Sequence, residues 1–232
     1  MPEKVIGILG GMGPEATIDL FHKIVKATNA KKDQEHLRII IDNNPKIPDR
    51  TAAILGKGED PLPELQNTAK NLEKAGADFI IIPCNTAHYF LPSIEKSVRI
   101  PIMNMIEETL KDIKGKFPDI KKIALLASVG TYTTGMYDQY FNKYNIEVIS
   151  PGEKSIAKIM KAIYAVKANK LSRNIKESIL KITGNLINKG AEAIIAGCTE
   201  IPLILKKEDI SVPLIDPTKI LAEAAVKKAR EY

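Results

Sequence analysis

Two cysteines offer the clearest candidate chemistry in this 232-residue sequence. Cys84 closes the segment GADFIIIPC, and Cys198 closes the similar segment GAEAIIAGC, 114 residues further along the chain. Small hydroxyl or amide residues follow each cysteine, at a point where an apolar strand should give way to a helix. Backbone N–H groups at a helix start lower the pKa of a thiol and bind carboxylates, so both thiols are predicted to be reactive.

A glycine-rich turn follows the first apolar run of the chain. Within it, Gly11–Ala16 fits the G-x-G-x-x-A fingerprint of dinucleotide-binding proteins, and Asp42 ends the next apolar run. Asp42 comes late for that fingerprint, and the paired cysteines have no role in it. We therefore interpret the turn as a loop that presents N–H groups to a carboxylate. A dinucleotide-binding oxidoreductase remains the alternative from another class, and a catalytically silent protein that binds small anions is a third hypothesis.

Three residues with basic side chains stand out in the sequence. Arg50 follows the proline-containing loop after the second apolar run, and a planar guanidinium is a natural partner for a carboxylate. Lys167 ends a predicted helix, a position where lysine is common. His88 comes about one helical turn after Cys84. It could act as a partner of that thiol, but a capping or surface role is expected for it.

Short apolar runs alternate with helical patterns along the chain, which predicts βαβ units and mostly parallel sheets in an α/β fold. The predicted strands are 5–9, 38–42, 79–82, 100–103, 123–127, 146–149, 193–196 and 212–215. The clearest helical patterns lie at 14–28, 63–74, 155–167 and 173–189.

The chain also repeats itself once. Besides the cysteine segments, IPIMN at 100–104 matches VPLID at 212–216, so the repeat halves are about 1–115 and 116–232. Two similar domains related by a pseudo-twofold axis would place the carboxyl ends of their strands at one cleft. The sequence thus predicts an active site in that cleft, with one thiol on each side.

Composition argues against several other functions. The net charge of +6 comes mainly from lysines spread along the chain, and aromatic residues make up only 5%, so no nucleic-acid partner is predicted. No apolar stretch is long enough to span a membrane and no signal-peptide pattern is present, so a cytoplasmic protein without a membrane partner is expected. Three scattered histidines and two distant cysteines predict no metal site.

The motifs GGMGPEAT, NNPKIPDRT, PCNTAH and GCTEIPL together resemble the aspartate/glutamate racemase superfamily, most closely its aspartate racemase branch, over essentially the full length. The resemblance implies two α/β domains with the active site between them, a homodimer, and racemisation without pyridoxal phosphate or any other cofactor. It also implies that the helices after Asn104 and Asp216 pack on the opposite domain. The expected domains are then 1–104 plus 217–232, and 105–216.

The same resemblance assigns roles to particular residues. The catalytic pair would be Cys84 and Cys198. The predicted substrate-binding residues are Met12, Arg50, Asn85, Thr86, Thr131, Lys167, Thr199 and Glu200. Asn85, Thr86 and Thr199 would hold the α-carboxylate of the substrate, whereas Arg50 and Lys167 would grip its side-chain carboxylate. Glu200 stands where glutamate racemases carry a histidine, which favours aspartate.

The predicted reaction is the conversion of L-aspartate to D-aspartate by two-base proton transfer between Cys84 and Cys198. Inverting a stereocentre requires removing the α-proton from one face and returning a proton to the other, and thiols titrate near neutral pH. Glutamate racemisation and broad-specificity amino-acid racemisation within the same superfamily are the alternatives.

Overall fold

A computed structural model describes residues 3–231 of the chain. The chain divides into two compact units, one formed by Met1–Glu108 with Thr218–Tyr232 and the other by Thr109–Pro217. Each unit contains its own parallel β-sheet.

The strands, numbered in chain order, are β1 (Ile6–Gly10), β2 (Ile39–Asn43), β3 (Phe79–Ile81), β4 (Lys122–Leu126), β5 (Glu147–Ile149), β6 (Ala193–Ala196) and β7 (Leu214–Ile215). The α-helices are α1 (Pro14–Thr28), α2 (Arg50–Ile54), α3 (Leu62–Lys74), α4 (Leu91–Glu95), α5 (Met105–Lys116), α6 (Val129–Thr134), α7 (Met136–Phe141), α8 (Glu153–Lys167), α9 (Arg173–Asn188), α10 (Ile201–Ile204) and α11 (Pro217–Arg230). Short 3₁₀ helices lie at Asp33–Glu35, Thr86–Phe90, Asn142–Tyr144 and Lys207–Asp209.

The sheet of the first unit has the order β2-β1-β3, with every pair parallel. The central strand β1 is buried throughout, and its side chains alternate between two apolar clusters. Ile6 and Ile8 pack in a cluster with residues of α1 and α11, whereas Leu9 packs in a second cluster with residues of α3 and α4. Helices on both faces explain why the strand is a continuous apolar run.

The sheet of the second unit has the order β5-β4-β6-β7 and is also parallel. Ala124 and Leu126 of β4 pack with Ile194 of β6 against apolar residues of α8 and α9. Side chains on the opposite face of the sheet, such as Ile123 and Ile195, are fully buried as well. Both central strands are therefore covered on two sides, as parallel strands require.

The predicted α/β class, with mostly parallel sheets flanked by helices, is confirmed. The strand predicted at 100–103 is reduced to a single parallel bridge between Ile80 and Ile102. The N–H groups of Arg99 and Ile100 bind the Glu73 carboxylate instead of a neighbouring strand, and Pro101 has no N–H to donate. Across residues 3–231, none of the helices has both the length and the apolar character needed to cross a membrane.

Candidate active site

Cys84 lies at the carboxyl end of β3, the strand that pairs with β1. It is buried, and it packs in the same apolar cluster as Leu9 and Ile80. Its backbone N–H closes a tight turn by donating to the Ile82 carbonyl at 2.9 Å. The helix that follows is a single 3₁₀ segment, Thr86–Phe90, too short for its dipole to act strongly on the sulfur.

His88 fixes this turn from within the protein. Its Nδ1 lies 2.9 Å from the Cys84 carbonyl oxygen, and its Nε2 lies 3.1 Å from the Met105 backbone nitrogen. Because Met105 N–H can only donate, Nε2 accepts and Nδ1–H donates, which defines a neutral imidazole. Burial lowers the pKa of His88. A surface role is wrong, because His88 is only 5% exposed. The expected capping role agrees with the hydrogen bond from Met105, the first residue of α5.

Arg50 is the buried cation of the first unit. Its Nη1 donates to the carbonyls of Ile47 and Pro48 at 3.1 and 2.9 Å, and its Nη2 donates to the Met12 carbonyl at 3.3 Å. Its buried Nε–H has no acceptor among residues 3–231. Since a guanidinium has five N–H donors in one plane, Nε–H and a second Nη2–H are left without an acceptor in the described part of the chain.

The glycine turn after β1 is shaped by its neighbours in the first unit. Gly11 has φ +95°, and a Cβ there would lie 2.3 Å from the backbone carbonyl carbon of Asn44. Its N–H donates to the Thr17 hydroxyl at 2.9 Å. The turn therefore needs a glycine in order to approach the loop after β2. This contact explains the glycine without reference to a dinucleotide. Asp42, the acidic residue of the dinucleotide fingerprint, accepts a hydrogen bond from Asn71.

Cys198 lies just after β6 in the second unit and is less buried than Cys84. Its thiol donates to Oε2 of Glu200 at 2.8 Å, and the hydroxyl of Thr199 donates to the same oxygen at 3.3 Å. Glu200 is only 5% exposed. The following helix, α10, has four residues, so the side chains rather than a helix dipole set the electrostatics around this sulfur.

Lys167 is the cation that lies next to Glu200. It is the last residue of α8, and its Nζ lies 3.8 Å from Oε1 of Glu200. Its side chain is 34% exposed, whereas that of Glu200 is 7% exposed. The cluster of Lys167, Cys198, Thr199 and Glu200, which we call the Glu200 cluster, thus joins four residues that are separated by up to 33 positions in the sequence.

Two tyrosines near Cys198 were not predicted from the sequence. The pKa values of Tyr132 and Tyr137 are both raised, mainly because the two phenols are buried. Negative charge on the Cys198 sulfur raises both pKa values further. The Tyr132 hydroxyl donates to the Leu125 carbonyl and accepts from the Ala127 N–H, both at 2.9 Å. Both phenols therefore stay protonated beside the cysteine at neutral pH. The only signal in the sequence was their position shortly after a strand end.

The remaining predicted residues are divided between the two units. Asn85 and Thr86 are buried directly after Cys84. Met12 contributes its carbonyl to Arg50, while its side chain packs in the apolar cluster around Cys84. Thr131 is 1% exposed, and its hydroxyl lies 3.1 Å from that of Ser128, which caps α6. Within residues 3–231, no group of three or more His, Cys, Asp or Glu side chains is placed to hold a metal ion.

Comparison with known proteins decides the family. Residues 9–225 match the family model described as Asp/Glu/Hydantoin racemase. The chain belongs to this family. Both cysteines and all eight predicted substrate-binding residues of this racemase-family chain lie within the matched range.

Individual relatives cover nearly the whole chain. A structure of Picrophilus torridus aspartate racemase is 33% identical, with a TM-score of 0.86, over 97% of this chain and 94% of that one. An aspartate racemase homologue from Pyrococcus horikoshii OT3 is 28% identical, with a TM-score of 0.78, over 98% and 100% of the two chains. The broad specificity amino-acid racemase RacX of Bacillus subtilis (strain 168) is 28% identical over 98% of this chain and 99% of its own length.

Proposed function

We propose that this racemase-family chain inverts the α-carbon of an acidic amino acid, with aspartate as the favoured substrate, by proton transfer between Cys84 and Cys198. The proposed reaction uses no cofactor. One observation carries the proposal: each unit places a cysteine directly after a parallel strand, β3 in one unit and β6 in the other. A pair of equivalent thiols supplies one acid/base group for each face of an α-carbon.

In the proposed reaction a thiolate takes the α-proton, and the electron pair of the broken C–H bond moves toward the α-carboxylate. The other thiol then gives its proton to the opposite face of the same carbon. Asn85, Thr86 and Thr199 would hold the α-carboxylate and stabilise the charge that develops on it. These three residues are buried and lie directly beside the two cysteines in the sequence, which supports this role.

Arg50 is proposed to bind the side-chain carboxylate of the substrate. Its three hydrogen bonds to backbone carbonyls fix the guanidinium plane, and two of its five N–H groups have no protein acceptor among residues 3–231, the number that one carboxylate accepts from an arginine. A buried Nε–H without an acceptor in the described chain is costly unless a ligand satisfies it. This supports a substrate with a second carboxylate, as aspartate and glutamate have.

Broad specificity remains the second candidate, because Lys167 is already close to an internal carboxylate. The Nζ of Lys167 lies 3.8 Å from Glu200, so a substrate carboxylate would compete with Glu200 for this cation. A weaker grip from Lys167 would relax the requirement for an acidic side chain. The similarity to a broad-specificity racemase is consistent with this alternative. Parallel assays with L-aspartate, L-glutamate and L-alanine would rank the substrates.

We also propose, from the likeness to the superfamily, that the chain acts as a homodimer in the cytoplasm. The mass of one chain is 25.5 kDa. Light scattering coupled to gel filtration should therefore give about twice that mass, and a monomer mass would remove the dimer from the proposal.

The proposed mechanism is tested by incubating L-aspartate with the protein in heavy water. The proton removed from one face is not the proton returned to the other, and the delivering thiol exchanges with solvent between turnovers. D-aspartate should therefore carry deuterium at Cα from the first turnovers, while unreacted L-aspartate stays protonated. Chiral chromatography with mass detection measures both.

Two results would contradict the mechanism. Transfer of the substrate hydrogen into D-aspartate would indicate a single base that serves both faces. Labelling of the unreacted L-aspartate as fast as product forms would indicate the same. A chain that inverts none of the amino acids tested would remove the racemase proposal altogether.

A further inference from the structure

The two cysteines have different electrostatic surroundings, although the repeat gives them equivalent places in the sequence. The thiol of Cys198 donates a hydrogen bond to the buried carboxylate of Glu200. At the equivalent position after Cys84 the chain has Thr86, which carries no charge. Among residues 3–231, no carboxylate accepts a hydrogen bond from the Cys84 sulfur.

A carboxylate at this distance discriminates between the two protonation states of a thiol. It accepts a hydrogen bond from S–H and repels S⁻, and a low-exposure setting screens that repulsion poorly. An isolated glutamic acid is a much stronger acid than a thiol, so the proton of the pair belongs on sulfur. The hydroxyl of Thr199 donates a second hydrogen bond to the same oxygen.

Two phenols and one ammonium also lie near Cys198 or Glu200. Tyr132 and Tyr137 stay neutral, because burial raises the pKa of each phenol. Lys167 lies against Oε1 of Glu200, the oxygen that does not bind the thiol. Its ammonium offsets only part of the carboxylate charge, since the two groups are 3.8 Å apart and the lysine side chain is 34% exposed.

We propose that Glu200 is a positioning residue that keeps Cys198 protonated in the resting enzyme, so that Cys198 begins turnover as the acid and Cys84 as the base. This inference rests on the proposed racemase function. Cys84 takes the α-proton, and Cys198 transfers its own proton to the opposite face of Cα. The turnover ends with a Cys84 thiol and a Cys198 thiolate beside Glu200. That unfavourable thiolate then regains a proton from solvent as Cys84 loses one, which restores the resting form.

The test measures each thiol without requiring turnover. The full-length protein is alkylated with iodoacetamide between pH 5 and pH 10, and peptide mass spectrometry follows Cys84 and Cys198 separately. Alkylation reports the thiolate fraction. In Glu200→Gln, which keeps the size and the acceptor oxygen of the side chain, the midpoint for Cys198 should fall by about one pH unit. Its alkylation rate at pH 7 should rise about tenfold, with the Cys84 midpoint unchanged.

Two further variants sharpen the result. Lys167→Met removes the cation that offsets Glu200, so the Cys198 midpoint should move in the opposite direction, upward. Glu208→Gln, an exposed change in the same unit, removes the same charge away from the thiol and should leave the midpoint unchanged. An unshifted or raised Cys198 midpoint in Glu200→Gln overturns the proposal, as does a downward shift in Lys167→Met.

The experiment separates this inference from the proposed function. If the midpoints shift as expected but no amino acid is racemised, the control of Cys198 by Glu200 stands and the assignment of the resting acid fails. If aspartate is racemised in the two-base manner but the Cys198 midpoint does not respond to Glu200→Gln, only the role of Glu200 is overturned.

Discussion

The two cysteine loops share a position in the fold but differ in what holds them. The Cys84 loop is held by an uncharged network in which His88 bridges the Cys84 carbonyl and the Met105 N–H. The Cys198 loop is held by charges, because Glu200 accepts from the thiol and lies next to Lys167. The two units thus place a thiol at equivalent points after a strand, while the side chains two to four positions later make different contacts with each cysteine.

The cations of the two units differ in the same way. Arg50 is fixed by three backbone carbonyls, and two of its N–H groups have no acceptor in the described chain. Lys167 is partly exposed and lies near a carboxylate. Backbone acceptors hold the guanidinium of Arg50 in one orientation. If both bind substrate, Arg50 should contribute more to recognition than Lys167.

The largest expected effect comes from removing either thiol. Cys84→Ser and Cys198→Ser should each lower the racemisation rate by about 10²–10⁴-fold, because a hydroxyl is far too weak an acid to replace a thiol. Turnover of L-aspartate followed by circular dichroism measures the loss. Should only one of the two variants lose activity, the two loops would not be functionally equivalent and the paired-thiol mechanism would be wrong.

A smaller effect is expected at the cation of the first unit. Arg50→Lys should lower kcat/KM for aspartate by about 10–100-fold, because a planar fork becomes a point charge. It should also lower the thermal midpoint, since the hydrogen bonds to three carbonyls are lost, so assays belong well below that midpoint. The exposed Arg99→Lys in the same unit is the control. Undiminished kcat/KM in Arg50→Lys would remove Arg50 from the substrate site.

The smallest effect concerns pH and the uncharged network of the Cys84 loop. The pKa of His88 lies below its ordinary value of 6.5, so below pH 6.5 the unfolded chain takes up a proton that the native ring refuses. Stability should therefore fall with decreasing pH below 6.5, by up to about 1.4 kcal/mol for each pH unit until the native ring also titrates.

Urea unfolding between pH 7.5 and pH 5 measures this contribution. His88→Gln, which cannot titrate, should show a shallower loss of stability over the same range. The exposed Lys and Glu residues and the other two histidines are common to both proteins, so the difference between the two pH profiles isolates His88. Parallel profiles would show that the buried ring does not govern the acid sensitivity of this loop.

Much of the fold was predictable from local pattern. Continuous apolar runs such as Ile6–Gly10 and Ala193–Ala196 are typical of parallel strands covered on both faces, and both are strands in the structure. The segment 100–103 has a similar composition but forms one bridge, because Glu73, distant in sequence, binds the N–H groups that would have extended it. A hydrogen bond from a residue this distant in sequence cannot be predicted from the apolar pattern of the segment itself.

The candidate site was predictable as a set of residues but not as a set of contacts. The repeat indicated Cys84 and Cys198, yet the hydrogen bond from Cys198 to Glu200 depends on how the chain turns after β6. The burial of His88 depends on the position of Met105, 17 residues later. The predicted pseudo-twofold axis and the cleft that would unite the two thiols stay predictions.

The three carbonyl anchors of Arg50 have a consequence for binding entropy. A flexible arginine loses rotamer freedom when a ligand immobilises it, at a cost of about 0.5–1.5 kcal/mol. Here folding has already imposed that order, through acceptors in the turn after β1 and in the loop before α2. An arriving carboxylate therefore meets a side chain with little conformational freedom left to lose. Its association should be favoured by enthalpy, with a smaller entropic penalty than a mobile cation would impose.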